Sequence, residues 1–407
     1  MVHKKSSDSS DRIPETPAPF RSQLGPVSLL SLLFLINFIS RIIFSPLLPT
    51  IERELTISHG QAGFLFFLIT AGYLVGLLLS GLLASRATHR ATIVISICGV
   101  GIALFGIAAA PSAGPIRVGL IALGFAAGLY IPSAIATITS LVDRPHWGKA
   151  IAIHELAPNL AFFLSPFVAE LFLKWSSWRA ALGTLGALAL IAGIGFGRFG
   201  RGGALHGEAP SVKAFGALAR IPAFWLMVAL FGLGVSSTIG VYAMLPLYLV
   251  AERGLEPGWA NTIVALSRSH GPILGLFGGW LSDRLGVKET LVISLVFTGA
   301  VTLLLGPAGN SWLSVVVFFQ PLLAVCFFPA AFAAVALITP PNARNLAVSF
   351  SVPVGFAIGG GAIPSFIGAM GDAGSFAGGF TWTGAAIAAG GVLALFVKMP
   401  RGSGLVS

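Results

Sequence analysis

Apolar runs of about 20 residues follow one another along almost the whole chain, each bounded by a few polar, Gly or Pro positions. A helix rising about 1.5 Å per residue needs roughly 20 such residues to cross a hydrocarbon core of about 30 Å. The runs fall at 26–50, 60–84, 91–111, 115–141, 147–173 and 178–198, and then at 222–250, 258–282, 288–308, 312–338, 344–370 and 376–398. Unpaired N–H and C=O groups are too costly in lipid for irregular backbone, so each run predicts a helix. The pattern therefore predicts an all-α integral membrane protein of 12 transmembrane helices.

Composition agrees with lipid as the main solvent: 56% of the 407 residues are hydrophobic and only 9% charged, against about 25% charged in soluble domains. The net charge of +10 would suit a nucleic-acid partner, but its distribution argues against one. With the N-terminus inside, seventeen Lys and Arg fall in inner loops and ends, five in outer loops, and two, Arg41 and Arg268, within helices. That asymmetry places both termini in the cytoplasm. Cys98 and Cys326 lie inside apolar runs and support neither a disulfide framework nor a metal site. Residues 1–25 are polar, lack the features of a signal peptide and read as a disordered tail. Short loops without an Asn-x-Ser/Thr sequon fit a bacterial inner membrane.

An internal repeat divides the chain. Gly81-Leu-Leu-Ala-Ser-Arg86 closes helix 2 and Gly279-Trp-Leu-Ser-Asp-Arg284 closes helix 8, while Pro132 matches Pro329 and Pro166 matches Pro364 at nearly the same offset. Two pseudo-symmetric six-helix bundles follow, at 26–198 and 222–398, joined by a cytoplasmic linker at 199–221 and followed by a tail at 399–407. Parallel repeats of this kind put a binding site between the halves near mid-membrane.

Gly279-Trp-Leu-Ser-Asp283-Arg284-Leu-Gly286-Val-Lys288 resembles the cytoplasmic Gly-x-x-x-Asp-Arg-x-Gly-x-Lys/Arg motif of the major facilitator superfamily, and the resemblance runs from helix 1 to helix 12. It implies the major facilitator fold, transport by alternating access and a chain that works as a monomer. In family members the motif helps hold the inward-closed state, which implies a gating role for Gly279, Asp283, Arg284, Gly286 and Lys288, and for Gly81, Arg86 and Arg90 in the first half. There Ser85 stands where the family has Asp, which removes the charge a latch would use. Drug/proton antiporters of the family carry a glycine-rich stretch ending in Gly-Pro on helix 5. Leu156 to Ser165, before Pro166, contains no glycine, which weighs against drug efflux.

Ionisable groups deep in a membrane are expensive and by default functional. Arg41 and Arg268 each lie 15 residues from the inner end of their helices, roughly 22 Å from the cytoplasmic face. Facing one cavity, two guanidiniums would form a fork for a carboxylate or other oxyanion; the structural alternative is pairing with an acid or with carbonyls. Asn37, one turn before Arg41, could orient it, and Tyr130, Tyr242, Phe38, Asn159 and Gln320 could line the cavity or simply pack. Glu155, well inside helix 5, is the candidate proton-coupling group, with His154 assisting; a salt bridge to Arg41 is its structural alternative. His270, about 200° around the helix from Arg268, is expected to face packing.

Gly195-Phe-Gly-Arg-Phe-Gly200 ends an apolar helix and follows no strand, so it is no dinucleotide site, and His154-Glu155-Leu-Ala-Pro158 has Pro where a zinc protease needs its second His. No enzyme, cofactor or metal site is expected. The sequence favours proton symport of a small carboxylate-like anion, with the anion, protons and the lipid bilayer as partners. A drug or metabolite efflux antiporter is the first alternative and a non-transporting receptor the second.

Overall fold

The structure, a computed structural model, describes residues 20–207, 220–340 and 344–397. The expected tail over 1–19, the linker over 208–219 and the C-terminal segment from 398 lie outside the described residues. Eleven helices are long and apolar enough to cross a membrane among the described residues. In chain order the spans begin with α1 (Phe20–Leu55), α2 (His59–Arg86), α3 (His89–Ala109), α4 (Ala113–Leu141), α5 (Arg144–Trp175), α6 (Trp178–Phe199) and α7 (Pro222–Ala251). The twelfth crossing, α8, falls short by length because it breaks at Arg268 into Pro257–Ser267 and Gly271–Leu285. The remainder are α9 (Val287–Leu304), α10 (Asn310–Ile338), α11 (Ala347–Asp372) and α12 (Phe376–Ala394).

Helix ends follow local chemistry. The side chains of Ser58, Thr88 and Ser177 cap α2, α3 and α6, satisfying N–H groups that no helix can bond internally. Gly286 turns α8 into α9 with φ at 106°, a conformation that side chains with a Cβ rarely adopt. α1 begins at Phe20 rather than at 26. The helix persists into the polar boundary, where Gln23 donates to Asp143 (3.4 Å) and Phe20 packs on His146.

The same pairings recur in both halves: α1 with α5, α2 with α4 and α3 with α6, then α7 with α11, α8 with α10 and α9 with α12. α2 and α4 interlock through Gly72, Gly76, Gly124 and Gly128, where an added Cβ would meet the opposite backbone. Without a hydrophobic drive between lipid-solvated helices, such close approach is what dispersion and packing require.

The halves meet along three seams, α1 with α7, α2 with α11, and α5 with α8. Every side-chain hydrogen bond that crosses between halves among the described residues lies at the end of the bundle away from the Lys- and Arg-rich loops, the end expected to face outward. Ser45 Oγ donates to the Tyr242 carbonyl (2.7 Å), and Asn261 Nδ2 to Glu170 (3.1 Å) and the Pro46 carbonyl (3.4 Å). Asp372, ending α11, accepts from Ser58 Oγ (2.7 Å) and from the Gly60 N–H (3.0 Å) at the start of α2. At that end, then, polar contacts add to packing in holding the halves together.

Asp372 places a negative charge on the positive end of the α2 dipole, an arrangement that contributes about 0.3–1 kcal/mol. Asp372→Ala is therefore expected to loosen the α2–α11 seam modestly, read as increased labelling of outer-half cysteine probes with the fold intact. No change in labelling would mean that backbone packing alone holds the seam.

Candidate functional site

The α1 and α7 spans that frame the centre are both irregular there. α1 bends at Ile43, between its helices Phe20–Ile42 and Phe44–Leu55. α7 widens over Ser236–Gly240 and α11 over Ala357–Ala362 into π-helical turns. A π-turn leaves a carbonyl without its usual helical partner and is often placed at functional positions. Two side chains donate to carbonyls of the α7 turn: Arg268 Nη2 to that of Thr238 (3.0 Å), which also accepts the Val241 N–H, and Gln320 Nε2 to that of Ser237 (2.9 Å).

Arg268 is buried, 5% exposed, at the C-terminal end of the outer piece of α8, where the negative end of the helix dipole favours a cation. Its guanidinium lies over the rings of Phe162 (4.8 Å) and Tyr242 (5.1 Å). Arg41, 8% exposed, lies over Phe38 (4.8 Å) and Tyr73 (4.4 Å). Ring faces attract a cation by about 0.5–2 kcal/mol, more when desolvated. Neither arginine is in an ion pair: those among the described residues are His59–Glu52, His154–Glu155 and Arg179–Glu54. The Nε atoms of both arginines are buried without a partner.

Beside Arg41 lies a cavity of about 30 Å³ lined also by Phe38, Thr70, Tyr242, Phe356 and Gly360; Arg268 is not in its wall. That volume holds roughly one water, so a solute enters only after the rings move. Tyr242 joins the two arginines, lining the cavity with Arg41 while stacking under Arg268. Four spans from both halves contribute, which places the cavity where alternating access needs it.

The other sequence candidates are dispersed. Asn37 does not orient Arg41; its amide donates to the Ala127 carbonyl (3.2 Å) and ties α1 to α4. Tyr130 lies inside the first half, donating to the Leu30 carbonyl (2.5 Å) and stacking on Phe34. Gln320 is buried within the second half, bonded also to Thr302 (3.0 Å). Asn37 was a candidate for orienting Arg41, and Tyr130 and Gln320 for lining the cavity or packing; carbonyls and a hydroxyl of neighbouring helices hold the polar groups of all three. Asn159 faces the α8 break, its Oδ1 next to Gly271. His270 turns to α10, edge-on to Phe318.

Glu155 forms no salt bridge to Arg41. It is half-exposed, with Oε1 3.3 Å from Nδ1 of the fully buried His154, whose Nε2 lies 3.4 Å from the Tyr130 hydroxyl. Asn159 and Phe162, which follow it at helical spacing, both touch the second half. Glu155 therefore lies on the face of α5 turned towards the second half.

At the inner loops, Arg90 Nη2 donates to the Gly197 carbonyl (2.8 Å) at the end of α6, and Arg284 lies over Trp280. Of the other motif residues, Arg86, Asp283 and Lys288 take no part in the ion pairs found among the described residues; Gly81 and Gly279 carry no side chain to pair, and Gly279 has open space where a Cβ would stand.

The sequence reading missed Tyr73, Phe162, Thr70 and Phe356. Tyr73, one of four tyrosines in the chain and central in an apolar span, was the one with a usable signal.

A family model described as Major Facilitator Superfamily matches residues 30–269 and 258–406. A probable multidrug-efflux transporter of Mycobacterium tuberculosis is 28% identical over 201 residues, 47% of this chain and 40% of that one. The enterobactin exporter EntS of Shigella flexneri is 31% identical over 164 residues, 37% of this chain and 40% of that one. The chain thus spans about two fifths of the length of these relatives. Among solved structures, a bacterial homologue of the human lysosomal transporter Spinster, inward-facing and unoccupied, superposes with a TM-score of 0.74 at 15% identity, covering 94% of this chain and 96% of that one. A POT family transporter in complex with a thioalcohol-conjugated peptide gives 0.75 at 12% identity, covering 92% and 95%.

Proposed function

Because the chain belongs to the major facilitator superfamily and is one of its secondary transporters, we propose that it exports small amphipathic organic anions, aromatic carboxylates in particular, across a bacterial inner membrane. The observation that carries this reading is the pair of buried arginines, each against two aromatic rings and without an acidic partner among the described residues. A carboxylate would supply the missing countercharge, and the rings and apolar walls would take an aromatic or aliphatic body.

Direction is argued from two sides. The relatives named for a substrate are exporters, which favours efflux over the uptake symport expected from sequence. A membrane potential negative inside also favours expelling an anion, by about 2.3 kcal/mol per charge per 100 mV. The glycine-rich stretch missing from α5 has a counterpart before Pro364 of α11, at Gly359-Gly360-Gly361, so its absence from α5 weighs less against efflux.

The test is a thermal-stability screen of purified protein against aromatic carboxylates, aliphatic carboxylates, cationic drugs and neutral drugs, followed by flux in proteoliposomes. Stabilisation by aromatic carboxylates with outward flux is the expected result. Stabilisation by cationic drugs alone would overturn the anion assignment, and inward accumulation driven by a proton gradient would restore symport.

Glu155, backed by His154 and Tyr130, is the proposed proton-exchange group. Its side chain is half-exposed and is linked through the ring of His154 to the interior of the first half. Glu155→Gln is expected to abolish the response of flux to a pH gradient while leaving carboxylate-induced stabilisation intact. Unchanged pH-driven flux would remove Glu155 from the coupling step.

A further inference from the structure

Around Arg268 the backbone is supplied with hydrogen-bond partners and a set of side-chain groups is not. Pro246 has no N–H to offer the Tyr242 carbonyl one turn before it, and Ser45 Oγ of the other half donates there instead (2.7 Å). The carbonyls of Thr238 and Ser237 accept from Arg268 and Gln320. By contrast, the Tyr242 hydroxyl, the Ser165 hydroxyl and Arg268 Nε are buried without a completed hydrogen bond. Tyr242 and Ser165 are 1% and 0% exposed, and their hydroxyls are neighbours across the boundary between the halves. Phe162, one turn before Ser165 on α5, packs T-shaped against Tyr242 (4.8 Å) and lies under the Arg268 guanidinium. The three unpaired groups therefore belong to one cluster.

Buried polar groups are costly to leave unpaired, so such a cluster points to a ligand that completes it. Geometry divides it in two. The guanidinium lies over the face of the Tyr242 ring (5.1 Å), whereas the phenolic oxygen lies in the ring plane at its rim, so the two do not converge on one ligand atom. The guanidinium suits a carboxylate. Each protein hydroxyl can both donate and accept, and a third hydroxyl placed between them would use a donor and an acceptor at once. The span from the face of one ring to its rim matches a benzene ring that carries a carboxylate and a hydroxyl.

We infer that Tyr242 and Ser165 form a hydroxyl-recognition subsite beside Arg268, which makes hydroxylated aromatic carboxylates the substrate class. The inference rests on the anion-export reading and narrows it. A site that pairs a ligand hydroxyl rejects the analogue lacking it, because its own polar groups are then stranded. Ser165 belongs to the first half and Arg268 to the second, so a ligand held at both ends bridges the halves.

The experiment is calorimetric titration of purified full-length protein with benzoate, meta-hydroxybenzoate and para-hydroxybenzoate, for wild type, Tyr242→Phe and Ser165→Ala. Tyr242→Phe keeps the ring under Arg268 and removes only the hydroxyl. Wild type is expected to bind one hydroxybenzoate roughly 10- to 100-fold more tightly than benzoate. That ratio, taken within each protein, should fall to within about threefold in Tyr242→Phe and by at least about threefold in Ser165→Ala. Equal affinity of wild type for all three acids would overturn the subsite and leave the anion-export reading standing. An undiminished ratio in both variants would also overturn it: with all three acids weakened in parallel, the hydroxyls would serve the carboxylate, and with melting temperature lowered in the absence of ligand, they would be a structural pair. If wild type binds none of the three acids and no other aromatic carboxylate, the anion-export reading fails, and this inference fails with it.

Discussion

Arg268→Ala is expected to weaken aromatic-carboxylate binding by about 10²- to 10³-fold, since truncating one partner of a buried charge pair costs about 2–5 kcal/mol. The guanidinium is enclosed by Phe162 and Tyr242 and held by one carbonyl, that of Thr238. The rings contribute cation–π attraction, but only an anion completes the electrostatics of a desolvated cation. A carboxylate at 100 times its dissociation constant should stabilise wild type by about 2.7 kcal/mol. At the same concentration, a variant bound 100-fold more weakly gains about 0.4 kcal/mol. Arg268→Lys separates charge from geometry: it keeps the charge but loses the planar fork, and an intermediate response is expected. An alanine variant that melts normally and responds to carboxylates as wild type does would make Arg268 a strut for the π-turn of α7 and nothing more.

The second large effect is expected at the outer seam. Gly63 of α2 lies against the Pro364 carbonyl of α11, and Gly368 of α11 against the His59 carbonyl, so a Cβ at either position would meet backbone. Backbone cannot move aside as a flexible side chain can, and overpacking of this kind costs about 1–3 kcal/mol. The strain exists only while the seam is closed. Gly63→Val is therefore expected to move the equilibrium away from the state in which this seam is closed by roughly 10- to 100-fold and to slow transport at least tenfold. Labelling from the outer face of a cysteine introduced by Ala243→Cys, a position lining the central cavity, should rise in parallel. Slow transport without increased labelling would point instead to misassembly of α2. Normal transport would show that the seam yields without cost.

The same physics separates what was legible from what was not. Arg41 and Arg268 stood out in the sequence because a charge in hydrocarbon is costly wherever its side chain points. Asn37, Tyr130 and Gln320 carry no such signal: an amide or phenol in a span can bond a neighbouring carbonyl as readily as line a cavity, and all three do the former. Tyr73 and Phe162 are key neighbours of the arginines, yet nothing distinguishes Phe162 among 31 phenylalanines. Glu155 was expected deep in its helix. Its side chain is half-exposed, which depends on how α5 is rotated against its neighbours, and one-dimensional position does not encode that rotation.

The number of spans, their inside-out charge bias, the twofold repeat and the depth of the two arginines follow from the sequence alone, because each depends on the length, order and charge of segments in a slab of known thickness. Which side of each helix faces its partner was decided only by the tertiary structure. In water, an apolar stripe marks the buried face; in a bilayer, lipid is as apolar as the protein interior, and that stripe disappears. The break at Arg268, the π-turns of α7 and α11 and the ring pair on each arginine all depend on helix rotation and contact between helices. Packing fixes these features, and hydrophobicity along the chain does not record them.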